Sequence, residues 1–169
     1  MASRDYKEFI AALNARGVRY LVAGAHAVAF HARPRATGDL VGLIDPTPRN
    51  AQKVLAAVRD FFGGIAAGYS VEDVTDPGWI VQLGVAPVRI DLISGIPGLA
   101  SFGAAWRNRA DARFGSVPAR YIGLRDLVAA KEAAGRPQDR ADLRVLERAS
   151  GGARRTAEAE RRRRRKSRR

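Results

Sequence analysis

Tyr6, Phe9, Ile10 and Leu13 recur at three- and four-residue intervals in "RDYKEFIAALNARG", the spacing of one helix face. Ser3 stands where an N-cap belongs and Gly17 where a helix stops, so a first helix is predicted between them. "VRYLVAG" is a short apolar strand ending at Gly24, and "AHAVAFHA" reads as a helix halted by Arg33-Pro34. "TGDLVGLID" is a buried strand with a carboxylate near each end. Alternation puts Asp39, Val41, Leu43 and Asp45 on one face, with Leu40, Gly42 and Ile44 on the other. Pro46 and Pro48 open an amphipathic helix, "RNAQKVLAAVRDFF", closed by Gly63-Gly64. "GWIVQLG" and "VRIDLIS" are strands around a turn at Ala86-Pro87. "SFGAAWRNRADARF" is predicted helical and "VPARYIG" a short edge strand. "LRDLVAAKEAA" and "PQDRADLRVLERA" form a closing helix pair broken at Gly135-Arg136-Pro137. This order predicts an α+β domain, a small mixed sheet packed by helices.

Composition narrows the class. With 169 residues, 46% of them apolar, the chain can bury one ordinary core. The absence of cysteine excludes disulfides, thiolate metal sites and cysteine nucleophiles. Asp5 and Glu8 stand where a secretory signal would be apolar, and no apolar run approaches a membrane span, so a cytoplasmic protein without membrane contact is expected. The net charge of +13 is uneven: from Gly151 onward ten basic residues face Glu158 and Glu160, or +8, leaving +5 on residues 1–150. The expected organisation is therefore a domain over 1–150 and a disordered arginine-rich tail over 151–169 with salt-sensitive affinity for nucleic-acid phosphates.

Three features carry candidate chemistry. The strand ending at Gly24 passes at once into a helix, whose free N–H groups and positive dipole end suit a phosphate. Asp39 begins the next strand, and Asp91 sits inside the apolar "VRIDLIS", where an unpaired carboxylate is costly. Two strand carboxylates and a glycine turn are ingredients of metal-assisted phosphoryl transfer. Each has a plainer alternative. Asp39 can be a strand-entry residue, Asp91 can pair with Arg89 two residues along the same face, and Lys131 can pair with Asp126 or Asp139. Arg33, Arg35 and Thr37 read as a solvated loop or as a rim contacting phosphate or acceptor. His26 and His31 do not share a helix face and make no zinc site, and Trp79 and Trp106 read as core or cleft-wall aromatics.

From Tyr20 to Leu146 the order of "YLVAGAHAVAFHARPRATGDLVGLID", "VRIDLIS" and "LVAAKEAAGRPQDRADL" resembles the small bacterial nucleotidyltransferases of the DNA polymerase β superfamily, particularly AbiEii-like toxins and the minimal nucleotidyltransferases. The resemblance implies a minimal nucleotidyltransferase fold and Mg²⁺-dependent transfer of NMP from NTP to an RNA such as a tRNA, a partner protein or a small molecule. Mn²⁺ is the alternative ion, and a toxin–antitoxin-like setting is implied. On this chain it implies Asp39 and Asp91 as metal and catalytic carboxylates and Lys131 as the catalytic lysine at the triphosphate. Nucleotide contacts are implied at Gly24, Ala25, Arg35, Thr37, Lys131, Arg136 and Asp139, with Asp142 completing the relatives' "R-P-Q-D-x-x-D" stretch. Two positions depart from the pattern. Ala25 replaces the usual Gly or Ser, and Val41 replaces the second aspartate of Asp-x-Asp. Asp45 cannot substitute, since four strand residues carry it roughly 13 Å past Val41. A non-catalytic binder of nucleotide or RNA is the implied alternative.

Overall fold

The computed structural model describes residues 4–33, 37–85 and 87–166, with side chains as far as residue 151. Tyr6, Phe9, Ile10 and Leu13 form the buried face of α1 (Arg4–Ala15). β1 (Tyr20–Ala23) is wholly buried and passes without a loop into α2 (Gly24–His31). β2 (Asp39–Ile44) leads to α3 (Pro48–Phe61), where Thr47 accepts a hydrogen bond from Asn50 N–H and Pro48 occupies the first turn. A short helix, α4 (Val71–Thr75), starts at a reciprocal Ser70–Asp73 capping box. The capping box lies in "SVED", a helix start too short to show a hydrophobic period. Then come β3 (Ile80–Val85), β4 (Val88–Ile93), α5 (Phe102–Arg107), β5 (Ala110–Phe114), β6 (Val117–Tyr121), α6 (Leu124–Ala134) and α7 (Pro137–Lys166).

The six strands make one mixed sheet in the order β3-β4-β2-β1-β6-β5. β2 runs parallel to β4 and β1 parallel to β6, while the other neighbours are antiparallel. Leu40, Ile90, Leu92, Val81 and Leu83 belong to the buried core on the α1 and α3 side. Gly42 belongs to this face too, and a Cβ there would lie 3.0 Å from Leu92 Cδ2, so the small residue makes room for the neighbouring strand's leucine. The opposite face carries Asp39, Val41 and Asp91 and is partly covered by α2 and α6.

Residues 101–114 differ from the expected single helix. Helix α5 ends at Arg107, and from Ala110 to Phe114 outward Asp111 and Arg113 alternate with inward Ala112 and Phe114, which is strand periodicity. Gly115, at φ 61°, and Ser116 then close a tight hairpin pairing Phe114 with Val117. β5 is therefore the edge strand, and β6, predicted at the edge, lies between β5 and β1. Helix α7 continues past Ser150 to Lys166 through a segment rich in Ala, Glu and Arg, all strong helix formers.

Both carboxylates of "TGDLVGLID" now have surroundings. Asp45 is buried, its Oδ2 2.6 Å from Arg19 Nη1, beside an Asn50 side chain that donates to the Asp45 and Arg19 carbonyls and accepts from Arg19 N–H. It is a structural clasp between the start of β1 and the end of β2. Asp39 lies at the other end of the strand.

Candidate functional site

The strand-to-helix turn at Gly24 has φ 61°, a conformation open to glycine and strained for other residues. A Cβ on Gly24 would sit 3.0 Å from Val41 Cγ2 and 3.2 Å from Val41 Cβ, so the turn rests directly on the valine side chain. Ala23, at the cap of α2, supplies no side-chain acceptor to the first helical N–H groups. Ala25 is buried immediately behind the turn. The expected phosphate-type turn is thus built of backbone alone, and its floor is Val41.

Asp39 and Asp91 come together on adjacent parallel strands. Asp39 is in register with Arg89 and Val41 with Asp91, so all four side chains belong to one face of the sheet. Arg89 Nη2 donates to Asp39 Oδ2 at 2.8 Å and to Asp91 Oδ2 at 3.0 Å. One guanidinium nitrogen therefore joins the two carboxylates. Asp91 Oδ1 and Arg89 Nε are buried without a hydrogen-bond partner among the described residues. The sequence contained half of this arrangement, since the Arg89–Asp91 spacing within one strand is visible. The Asp39–Arg89 half depends on β2–β4 pairing, which only the fold provides. Gln82, opposite Asp91 on β3, also came into view only through that pairing.

Lys131 is buried and its Nζ donates to Asp139 Oδ1 and Asp142 Oδ2, each at 2.8 Å. Arg136 Nε donates to Asp139 Oδ2 at 2.7 Å from a side chain that is otherwise solvent-exposed. Burial alone would push the Asp139 carboxyl up, but the hydrogen bonds from Arg136 and Lys131 outweigh it and hold that carboxyl below its ordinary value. Asp126, the other partner considered for Lys131, instead accepts from Asn108 Nδ2 at 3.1 Å. The network closes the α6–α7 corner beside a cleft of about 440 Å³, onto which Gly24, Val41, Lys131, Arg136 and Asp139 face. Turn, acid pair and basic corner are brought to one side of the sheet.

The remaining candidates fall elsewhere. Thr37 Oγ1 lies 3.3 Å from both the N–H and the carbonyl of Asp39, bracing the strand entry. Arg33 lines a separate hollow with Val145 and Arg148 of α7. Arg35 lies outside the described residues. His26 packs edge-on to Tyr6 and Phe114, and His31 Nε2 is 2.7 Å from the Ile122 carbonyl.

Whether these residues fit Mg²⁺ can be judged from the donor set. A pair of ions ~3.5–4 Å apart needs carboxylates that bridge and flank them. Among the described residues no group of three or more His, Cys, Asp or Glu is placed to hold a metal ion. The two carboxylates on this face already share Arg89, and Val41, between them on the same face, offers no oxygen. The residues present do not fit a two-ion site.

The sequence model of the family described as nucleotidyl transferase of unknown function matches residues 2–167. The chain belongs to this nucleotidyltransferase family. No curated protein sequence matches it. Six chains of known structure do match, among them the crystal structure of a candidate nucleotidyltransferase from Thermotoga maritima. That structure superposes with a TM-score of 0.56 at 13% identity, over 85% of this chain and 93% of the other. The shared architecture is the α+β nucleotidyltransferase-like fold, which this chain builds on a mixed six-stranded sheet. Among the described residues no helix is long and apolar enough to cross a membrane.

Proposed function

We propose that the chain binds an NTP in the cleft between the Gly24 turn and α6, and that its transfer of NMP is residual or lost. One observation carries the second half: Arg89 Nη2 bonds both Asp39 and Asp91, at 2.8 and 3.0 Å. A fixed cation thus stands between the two carboxylates expected to hold Mg²⁺ or Mn²⁺, and Val41 withholds the third. The first half is supported by the family and by the uncapped first turn of α2, whose N–H groups suit phosphate oxygens. Arg136 adds an exposed guanidinium at the same cleft. Lys131, engaged by two buried carboxylates, serves here as a positioning residue that holds α6 against α7.

A second reading keeps catalysis, with Asp91 activating a hydroxyl of an RNA, a partner protein or a small molecule. It is favoured by the buried Asp91 Oδ1, which has no hydrogen-bond partner among the described residues. The arginine-rich residues 154–169 would add sequence-independent affinity if the acceptor were RNA. Label transfer from each α-³²P NTP to total RNA and protein separates the two readings, with Asp39→Ala as the blank. Wild type is expected at the blank level and Val41→Asp at least ~10-fold above it, about 1.4 kcal/mol of transition-state stabilisation. Wild-type turnover above the blank and equal to that of Val41→Asp would establish the second reading.

A further inference from the structure

Resting on the reading of this cleft as a nucleotide site, we propose that Trp79 is the platform for the base. Recognition is by stacking, so the site takes purine NTPs without distinguishing adenine from guanine. Trp79 is 51% exposed and Ile80 55% exposed on the cleft wall, an arrangement that leaves large apolar area facing solvent at the site. The wall is built to stay in place. Asp76 Oδ1 accepts from Gly78 N–H at 2.7 Å, and the Asp76 carbonyl accepts from Trp79 N–H at 3.1 Å. Pro77 Cβ lies 3.0 Å from where a Cβ on Gly95 would be, so this turn is seated against the backbone that follows β4. Across the cleft, a Cβ on Gly98 would lie 2.5 Å from the Ala129 carbonyl, which presses the Ile96-Pro97-Gly98 arm onto α6. Ile93 and Ile80, in register on β4 and β3, supply apolar surface between the two walls.

The chemistry of the lining sets the selectivity. Among the described residues its charged side chains are Lys131, Arg136 and Asp139, the two cations both bonded to Asp139, and the lining includes no Ser, Thr, Asn, Gln, Tyr or His. Bases are told apart by side chains that pair with their edges. A wall without such groups gains from the area and polarisability of the ring, which every base offers and purines offer most. The cleft volume of about 440 Å³ falls in the range of small-ligand sites, roughly 300–1,000 Å³.

The test is equilibrium dialysis of ATP, GTP, CTP, UTP and inorganic tripolyphosphate against the full chain, Trp79→Ala and Trp79→Phe. For the wild type, ATP and GTP are expected within ~3-fold of each other, tighter than CTP and UTP, and at least ~10-fold tighter than tripolyphosphate. Trp79→Ala should bring every NTP close to tripolyphosphate while leaving tripolyphosphate unchanged, and Trp79→Phe should keep most of the purine affinity. NTPs binding no better than tripolyphosphate, or one purine preferred by more than ~10-fold, would overturn the base platform and leave the nucleotide cleft standing. Failure of all five ligands to bind the wild type would overturn both. Trp79-dependent self-association in sedimentation, with NTP affinity unaffected by the substitution, would reassign the wall to a subunit contact.

Discussion

Gly24 and Val41 act as a pair at the smallest scale of the site. The glycine is required by its φ of 61° and again by the valine 3.0 Å from the space a Cβ would fill. Gly24→Ala should therefore destabilise by about 1–2 kcal/mol, part from the left-handed conformation and part from the clash. Combining it with Val41→Ala should recover the clash and leave the conformational cost. A double-mutant cycle in urea denaturation measures the difference, and strict additivity would mean that the turn does not rest on Val41. Val41 also bears on charge. An aspartate there would stand in register with Asp91, and like charges directly opposite one another destabilise strand pairs. The valine spares the strand pair that repulsion.

At the scale of elements, β2 and β4 turn two separate sequence features into one. Asp39 and Asp91 are 52 positions apart and meet only because the strands are neighbours and parallel, with Val41 opposite Asp91. Each strand was legible from its own alternation, and the shared superfamily pattern supplied their order. The bridging role of Arg89 was not legible, because a cross-strand ion pair depends on register, which a single strand does not encode. The same limit explains residues 101–114, where Phe102, Ala105 and Trp106 have helical spacing that masked the period-two alternation beginning at Ala110. The α6–α7 corner was partly readable: Asp139 stood as one alternative partner for Lys131, while the contacts of Lys131 with Asp142 and of Arg136 with Asp139 depend on how the chain turns at a glycine with φ 62°. Its stability has a definite pH dependence. The Asp139 carboxyl is held below its ordinary value in the folded protein, so its contribution is present above the unfolded value of ~3.9 and is lost as pH falls through the lowered folded value. Asp139→Asn should cost about 1–3 kcal/mol at pH 7, because the amide keeps an oxygen for Lys131 but loses the negative charge and sets an NH2 donor against the Arg136 N–H, while Asp142 still faces the ammonium. The penalty should shrink as pH falls below 4. A penalty independent of pH in denaturant titrations would show that the carboxylate's charge contributes nothing.

For the whole molecule, one sheet separates two tasks. The face under α1 and α3 carries Leu40, Ile90 and Leu92 of the core, while the other carries the acid pair and, with Val41, the Gly24 turn and the α6–α7 corner that line one apolar cleft. Charge across the site is close to balanced without any added ion. Asp39, Asp91, Asp139 and Asp142 are offset by Arg89, Lys131 and Arg136, through the ion pairs already described. A site in which guanidinium and ammonium groups already answer the carboxylates should bind nucleotide without needing a divalent cation. The direct measurement is the wild-type affinity for ATP, determined side by side in Mg²⁺ and in EDTA with Asp39→Ala as reference. Values within ~3-fold of each other are expected in the two media, a difference below about 0.7 kcal/mol. A tightening by Mg²⁺ of ~10-fold or more that Asp39→Ala abolishes would show instead that a metal displaces Arg89 from the carboxylates and that the site is not closed to divalent ions.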